Sequence, residues 1–412
     1  MCKSRALKRG QVRKVLLYGL GKSNLALYRL MLLDDNLKIL VTGDNIIFPD
    51  EILKEHRSLL KDIEIDQFDD VYVTPGISEK HSLFLKCEPK NEIDYAYNFI
   101  EAKFIGITGS NGKSTTCKLL ADALEFLGKK VKIAGNYGTP LSQVVLESQF
   151  LDYVVIELSS FQLRVLRDIQ FESVVITNIE PNHLDWHIDM DSYKNSKLSI
   201  LQMLNENGQA TLESDKICGS PRIPHIFSID TKLDFVPMNQ DKLSQWRSIF
   251  PTLKQLSCDT KQLSTFNFVS LEHRMQHLLS KSGIICINDS KSTTPGSTLF
   301  ALDCIAENNI LLILGGKSKG LDLTEFLTSL SLYKNKIDKL YIYGDLQKNI
   351  NQIKNTGIEF SSVCLFSDLL ILIKKEIVKS QILVLSPAFS SLDQFQSFEE
   401  RGQVFQSFIE EI

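Results

Sequence analysis

Residues 106–116 read GITGSNGKSTT, between Phe104-Ile105 and the apolar run 117–123. Apolar residues, a glycine turn and a second apolar run spell a strand, a turn and the start of a helix. The backbone N–H groups of such a turn hold phosphate oxygens, helped by the positive end of the helix. Lys113 supplies a point charge for the β- and γ-phosphates, and the hydroxyl of Ser114 or Thr115 a ligand for Mg²⁺. The expected ligand is a nucleoside triphosphate. The plain alternative is a glycine-rich turn with an incidental lysine, and the order Asn-Gly-Lys-Ser-Thr is too specific for it. The common phosphate loop has glycine six residues before its lysine. Here Ile107 stands there, and the glycines fall at 106, 109 and 112, so the loop is a variant.

The same alternation continues on both sides of the loop. Downstream, 152–156 reads as a buried strand that delivers Glu157, and 173–178 as another. Upstream, 15–18, 25–33 and 38–42 read as strand, helix and strand around Gly19-Leu-Gly21-Lys-Ser23-Asn24. Asp44 follows about 20 residues on, as in a dinucleotide fingerprint. Asn24 replaces the third glycine, so that turn is open to any phosphate ligand. Residues 71–74 with Pro75-Gly76 form a further strand end. From Leu271 onward, strand-like runs at 284–287, 310–314, 340–343 and 382–385 each end in a glycine or polar cluster. Strands alternating with helical stretches mean parallel sheets covered by helices. The expected fold is α/β, with three doubly wound domains and mainly parallel sheets: Rossmann-like, P-loop-type ATPase and Rossmann-like. The expected boundaries are 1–99 (with 1–14 a basic tail), 100–270 and 271–412. Three such domains suggest a site for each of two substrates and ATP, brought together by closure. Residues 214–265 are the least readable stretch.

Composition narrows the class. With 43% hydrophobic and 23% charged residues the chain is an ordinary globular protein. Its net charge of −4 leaves no nucleic-acid footprint. The basic start has no apolar core behind it, which excludes a signal peptide and favours a solvated tail. No apolar run approaches the roughly 18 residues of a bilayer span, so no membrane insertion is expected. Eight cysteines are scattered without a CxxC pair, which suits a reducing cytoplasm and argues against a zinc ribbon.

Several polar clusters sit at strand ends, where small ligands dock in open α/β sheets. Glu157 is a Mg²⁺ candidate because a second-strand acid beside a phosphate loop commonly serves that purpose. His183-x-Asp185-x-His187 places alternate residues on one side of an extended segment. It reads equally as a three-ligand metal cluster or as a polar loop with one useful histidine. Lys197 lies on an expected helix over 192–204, where pattern alone gives it no task. Asn288-Asp289-Ser290-Lys291-Ser292-Thr293 reads as a ligand cluster or as a turn into a helix. Lys319 is a candidate for a second anion site. The segments 386–395 and 398–402 end the chain with an unusually polar stretch after a buried strand.

Together these segments resemble the Mur ligases, and within them the branch that adds D-glutamate. The resemblance runs from about residue 15 to the C-terminus. It is carried by GITGSNGKST at 106–115, ELSSFQL at 157–163, Asn178–His187, His273-Arg274, NDSKST at 288–293 and GGKSK at 315–319. The most diagnostic segments are SPAFSSLDQF at 386–395 and FEERG at 398–402. Gly19–Ser23 and Thr74–Ile77 match the amino-terminal substrate domain. The resemblance implies ATP-dependent ligation of D-glutamate to UDP-N-acetylmuramoyl-L-alanine through an acyl phosphate, in a cytoplasmic monomer. It implies that Gly109, Ser110, Asn111, Gly112, Lys113, Ser114, Thr115 and Thr116 bind ATP, with Arg274 and Asp289 from the third domain. It implies two Mg²⁺ ions, held by Ser114, Glu157, His183 and an N6-carboxylated Lys197. Lys113, His183 and Lys197 would be the catalytic set. Gly21, Ser23, Thr74 and Asn136 would contact the UDP substrate, and Thr293, Lys319, Ser391, Leu392 and Phe398 would seat D-glutamate. The chain departs from the family at Asn182, where an aspartate is usual, and at Thr74, where a serine is usual. It lacks the His-Asn-x-x-Asn adenine signature, for which Asn239 is a candidate remnant, and the adenine contacts stay unassigned. Two rivals stay open: a relative that adds another amino acid, and a degenerate member that binds UDP-sugar or ATP without catalysis.

Overall fold

The computed structural model describes residues 12–412 except 45, 59–62, 78–79, 148–149, 180–186, 188, 213–225, 229–230, 239–241, 270, 319–321 and 379. Two compact units divide the chain, Met1–Phe268 and Val269–Ile412. The first unit carries two sheets. It opens with β1 (Arg13–Tyr18), α1 (Lys22–Met31), β2 (Leu37–Thr42), β3 (Asp70–Val73) and the short α2 (Glu92–Ala96). The strands pair in parallel in the order β2-β1-β3.

The second sheet of this unit follows from β4 (Lys103–Thr108), α3 (Lys113–Phe126), β5 (Val131–Gly135), α4 (Leu141–Glu147) and β6 (Tyr153–Glu157). It continues with α5 (Ser160–Val165), β7 (Phe171–Ile176), α6 (Met190–Leu198), β8 (Leu204–Leu212), β9 (Ile226–Ser228) and α7 (Leu243–Gln255). Six parallel strands run in the order β5-β6-β4-β7-β8-β9. This order puts β4 between β6 and β7, so the loop after β4 lies between the ends of both neighbours. That is where open α/β sheets bind ligands.

Local chemistry explains these boundaries. β6 stops at Glu157 because Ser159 and Gln162 form a reciprocal capping box that starts α5. Leu119, Leu120 and Leu124 of α3 are fully buried, and each such side chain contributes about 2 kcal/mol. α7 packs beside α3 in the same apolar cluster through Trp246, Ile249, Phe250 and Leu253. Pro251 sits inside this helix and masks its period in the sequence, since an interior proline normally ends a helical run.

Two buried carboxylates on α2 tie the first sheet's helix to the second sheet's connections. Glu92 accepts the Leu141 and Ser142 N–H groups at 3.0 Å each and the Ser142 hydroxyl at 2.6 Å. Asp94 accepts the Arg167 and Asp168 N–H groups at 2.9 and 2.8 Å. Burial pushes both carboxyls up in pKa, and these donated hydrogen bonds pull them partly back.

The second unit holds β10 (Gln276–Leu279), β11 (Ile285–Asn288), α8 (Pro295–Cys304), β12 (Ile310–Gly316), α9 (Thr324–Ser331), β13 (Ile337–Gly344) and α10 (Ile350–Lys354). Then come β14 (Glu359–Ser362), α11 (Phe366–Glu376), β15 (Ile382–Ala388) and α12 (Phe398–Glu411). The order is β10-β11-β15-β12-β13-β14, parallel except for the edge strand β10. The three sheets make a three-domain α/β fold. The sequence reading named no strand at β5, β8, β9, β10 or β14 and no helix at α7. The helix expected over 192–204 is α6 followed by a 3₁₀ stretch at Ser199–Met203.

Candidate active site

Gly109 (φ +146°) and Gly112 (φ +78°) let the chain turn from β4 into α3. A Cβ at Gly109 would overlap the Thr177 hydroxyl. The turn is held by side chains standing in for backbone. Asn178 Oδ1 accepts the Ser110 N–H at 3.1 Å and the Asn111 N–H at 2.8 Å. Thr177 donates to the Asn111 carbonyl at 2.6 Å. Ser114, Thr115 and Thr116 are buried in the first turn of α3, where Thr116 donates to the Gly112 carbonyl at 2.9 Å.

Two lysines meet at the Gly109 carbonyl. Lys113 Nζ donates to it at 2.9 Å and to the Ser110 carbonyl at 2.8 Å, and Lys197 Nζ donates to it at 2.7 Å. Lys197 is only 2% exposed and lies 4.8 Å from the Tyr193 ring centre. Burial and then the neighbouring Lys113 charge hold its pKa well below the usual lysine value, against a smaller upward pull from Glu157. The charged amine is therefore disfavoured at this position. Tyr193 also meets the Ser110 hydroxyl at 2.8 Å. Glu157, 1% exposed, takes one hydrogen bond, from Asn136 Nδ2 at 2.6 Å, and its other oxygen is buried with no partner among the described residues. A buried, unsatisfied carboxylate oxygen is costly unless a cation completes it. Glu157, Ser114 and the loop therefore fit a divalent ion with a phosphate ligand.

Asn136, expected on the UDP substrate, engages Glu157 in this structure. His183 and Asp185 lie outside the described residues, as do Asn182, Lys319 and Asn239. His187 is fully buried, with Nε2 at 2.9 Å from the Ser160 hydroxyl and its ring beside Phe161 and Tyr193. Among the described residues no group of three metal-binding side chains forms.

At the end of the first sheet, Thr74 packs against the turn after β1. A Cβ on Gly21 would come within 2.6 Å of the Thr74 hydroxyl. Asn24, which replaces the third fingerprint glycine, is fully buried. Its Nδ2 lies 2.9 Å from the Gly19 carbonyl, 3.2 Å from that of Tyr18 and 3.4 Å from that of Tyr72. Ser23 sits in the first turn of α1, whose N-cap is Gly21. Beside this turn Tyr18, Asp44 and His81 contact one another at 3.0–3.2 Å. Burial, then the hydrogen bond to Asp44, push the Tyr18 hydroxyl up to about 12.

In the second unit Asp289 is buried and points inward. It accepts the Met275 N–H at 3.1 Å and the hydroxyls of Ser292 and Ser386 at 2.5 and 2.8 Å. Burial pushes its carboxyl up to about 6, against the pull of these bonds and of Arg274. Asp289 thus shapes the segment that carries Arg274. Thr293 is exposed and Ser391 buried, while Leu392 is 60% exposed. Phe398 starts α12 with the Lys291 ammonium 3.9 Å from its ring centre. Tyr193, Asn178, Tyr18 and His81 escaped the sequence reading as individual participants. Each acts through a contact distant in sequence, which no local spacing reveals.

A family model, the Mur ligase middle domain, matches residues 107–264. The UDP-N-acetylmuramoylalanine–D-glutamate ligase of Francisella tularensis subsp. tularensis is 32% identical over 85% of this chain and 87% of its own length. The chain belongs to the Mur ligase family. The enzyme of the same name from Thermoanaerobacter pseudethanolicus is 29% identical across 97% of this Mur ligase and 98% of its own chain. Among solved structures, the UDP-N-acetylmuramate-alanine ligase of Thermotoga maritima superimposes with a TM-score of 0.58 at 16% identity, covering 96% of this chain and 99% of that one. The MurF ligase of Thermotoga maritima, solved with ADP, gives 0.60 at 13% identity, covering 98% and 95%. At such identities the structures establish the shared fold. Family membership makes this protein an ATP-dependent carbon–nitrogen ligase. No helix among the described residues is long and apolar enough to cross a membrane.

Proposed function

We propose that this Mur ligase joins D-glutamate to UDP-N-acetylmuramoyl-L-alanine with conversion of ATP to ADP and phosphate, one step of peptidoglycan precursor synthesis. The observation that carries the reading is the meeting of Lys113 and Lys197 on the Gly109 carbonyl. The naming of relatives aligned over nearly the whole chain supports the choice of D-glutamate.

In this reading the alanyl carboxylate attacks the γ-phosphorus of ATP. The bond from γ-phosphorus to the bridging oxygen breaks, and ADP leaves. The D-glutamate amine then attacks the carbonyl carbon of the acyl phosphate, loses a proton, and phosphate departs with the C–O electrons. The amides of residues 109–112 and the Lys113 ammonium hold the phosphates in line. Ser114 and Glu157 would hold one Mg²⁺, and His183 with Lys197 a second. Bound there, the ions supply positive charge to the transferring phosphoryl group. A lysine whose pKa is lowered by burial and by the Lys113 charge more readily gives up its proton and adds CO₂, releasing a further proton on becoming a carbamate anion. The carboxylated Lys197 is thus part of the proposal. Gly21, Ser23, Thr74 and Asn136 would contact the UDP substrate. Arg274 and Asp289 would serve the nucleotide, and Thr293, Lys319, Ser391, Leu392 and Phe398 would seat D-glutamate. The division into UDP-sugar (1–99), ATP (100–270) and amino-acid (271–412) domains, a monomeric state and a cytoplasmic location belong to the same reading.

The test is ADP release with UDP-N-acetylmuramoyl-L-alanine, ATP, Mg²⁺ and each amino acid in turn. Release that depends on D-glutamate is expected. Release with L-alanine or a diamino acid and none with D-glutamate would replace the substrate assignment, and no release with any would support a binding-only member.

A further inference from the structure

Backbone strain gathers at one place in the second unit. Among the described residues, five other than glycine adopt a positive φ: Ser257, His273, Met275, Asn309 and Ala388. Ser257 follows the end of α7 and Asn309 precedes β12, turn positions where that conformation is ordinary. The other three surround Asp289. Ala388 lies two residues after Ser386, whose hydroxyl donates to Asp289 at 2.8 Å. His273 (φ +58°) and Met275 (φ +44°) stand on either side of Arg274. A left-handed residue that carries a Cβ is costly and persists only where its surroundings over-determine it.

The surroundings of this turn do so. His273 is 3% exposed. Its N–H donates to Gln276 Oε1 at 2.9 Å, its carbonyl accepts the Lys291 N–H at 3.0 Å, and its Nδ1 meets Asn288 Nδ2 at 3.0 Å. Gly402 closes against the ring, where a Cβ would come within 2.3 Å of Nδ1. The Met275 N–H donates to Asp289 Oδ1 at 3.1 Å, and the Met275 side chain packs on the apolar core of the unit. With both neighbours locked, the Cα–Cβ direction of Arg274 is set by the turn. The arginine lies within electrostatic reach of Asp289, and the proposed function gives both residues to the nucleotide.

We propose that His273 and Met275 are positioning residues for the nucleotide: their left-handed backbone holds Arg274 preset in its binding direction, and the strain is the cost of that preorganisation. This rests on the reading of Arg274 as a nucleotide residue. A turn strained only as a by-product of packing would relax with no change in nucleotide affinity.

Steady-state kinetics on Met275→Gly, Met275→Asn, Gln276→Ala and Arg274→Ala separates these. Glycine adopts a positive φ freely, so Met275→Gly should fold, as circular dichroism checks. Its KM for ATP should rise at least about fivefold, with the KM for D-glutamate within about twofold of the unaltered enzyme. Met275→Asn loses the same packing but keeps a residue that favours the left-handed region, and should bring the ATP KM back to within about twofold. Gln276→Ala, expected to fold even if the glycine variant does not, frees the His273 N–H and should raise the ATP KM about threefold. An unchanged ATP KM in Met275→Gly or Gln276→Ala, an equal rise in Met275→Asn, or a parallel rise for ATP and D-glutamate would overturn the inference while Arg274→Ala still loses ATP affinity. An unchanged ATP KM in Arg274→Ala would overturn the nucleotide role of Arg274 and this inference together. No D-glutamate-dependent ADP release from the unaltered protein would overturn the functional reading, and the inference with it.

Discussion

At the scale of single residues, the proposed function rests on a few buried or partly buried charged groups. Lys113 keeps its donors on the Gly109 and Ser110 carbonyls, and in the proposed function it exchanges them for phosphate oxygens. Lys113→Ala should therefore lower D-glutamate-dependent ADP release at least about 100-fold while circular dichroism and thermal unfolding stay close to the unaltered protein. Full activity in that variant would reject the phosphate-binding role. Asp289 makes a separate, pH-dependent statement. Its folded pKa of about 6 lies above its ordinary value of 3.8. The unfolded chain therefore gives up this proton at lower pH than the folded one. The contribution is fully present below about pH 4 and is lost as pH rises through about 6, up to about 3 kcal/mol in all. Relative to the unaltered protein, Asp289→Asn should gain in Tm as pH rises from about 4 to about 7. A Tm difference that is flat across that range would show that the buried carboxyl is not strained by its charge.

At the scale of elements, the phosphate loop was legible because its information is local. Glycines at fixed offsets, a lysine and two hydroxyls need only a strand before them and a helix after them. Gly109 shows how narrow the solution is, with a φ of +146° and the Thr177 hydroxyl where a side chain would begin. Gly109→Ala should cost about 2–3 kcal/mol of stability and most of the ATP affinity, read by thermal unfolding and nucleotide titration. A variant with unaltered nucleotide affinity would mean that the loop tolerates a different path. The strands β6, ending at Glu157, and β7, expected over 173–178 and found at Phe171–Ile176, were legible for the same local reason. What escaped was written in contacts between distant residues. Asn178 substitutes for backbone in the turn at 110–111, Tyr193 sits under Lys197, and Pro251 hides the apolar stripe of α7. The edge strand β10 runs antiparallel against an otherwise parallel sheet, an orientation that four half-exposed residues do not encode by pattern.

At the scale of the whole molecule, Glu92 and Asp94 bind the helix of one sheet to the connections of the next inside the first unit. Glu92→Ala would strand the Leu141 and Ser142 N–H groups, a loss of roughly 2–4 kcal/mol. Hydrogen exchange should then accelerate in residues 13–18 and 141–147 while 310–316 and 382–388, in the other unit, keep their protection. Acceleration everywhere would mean that the two units unfold as one. The buried Asn24 has a kinetic consequence. Its amide already holds the Tyr18, Gly19 and Tyr72 carbonyls, so the turn after β1 is finished before any ligand arrives. If the proposed UDP substrate binds this turn, little of the chain remains to be ordered on its arrival, and its association rate should be set by encounter and charge, with no slow folding phase in a stopped-flow trace.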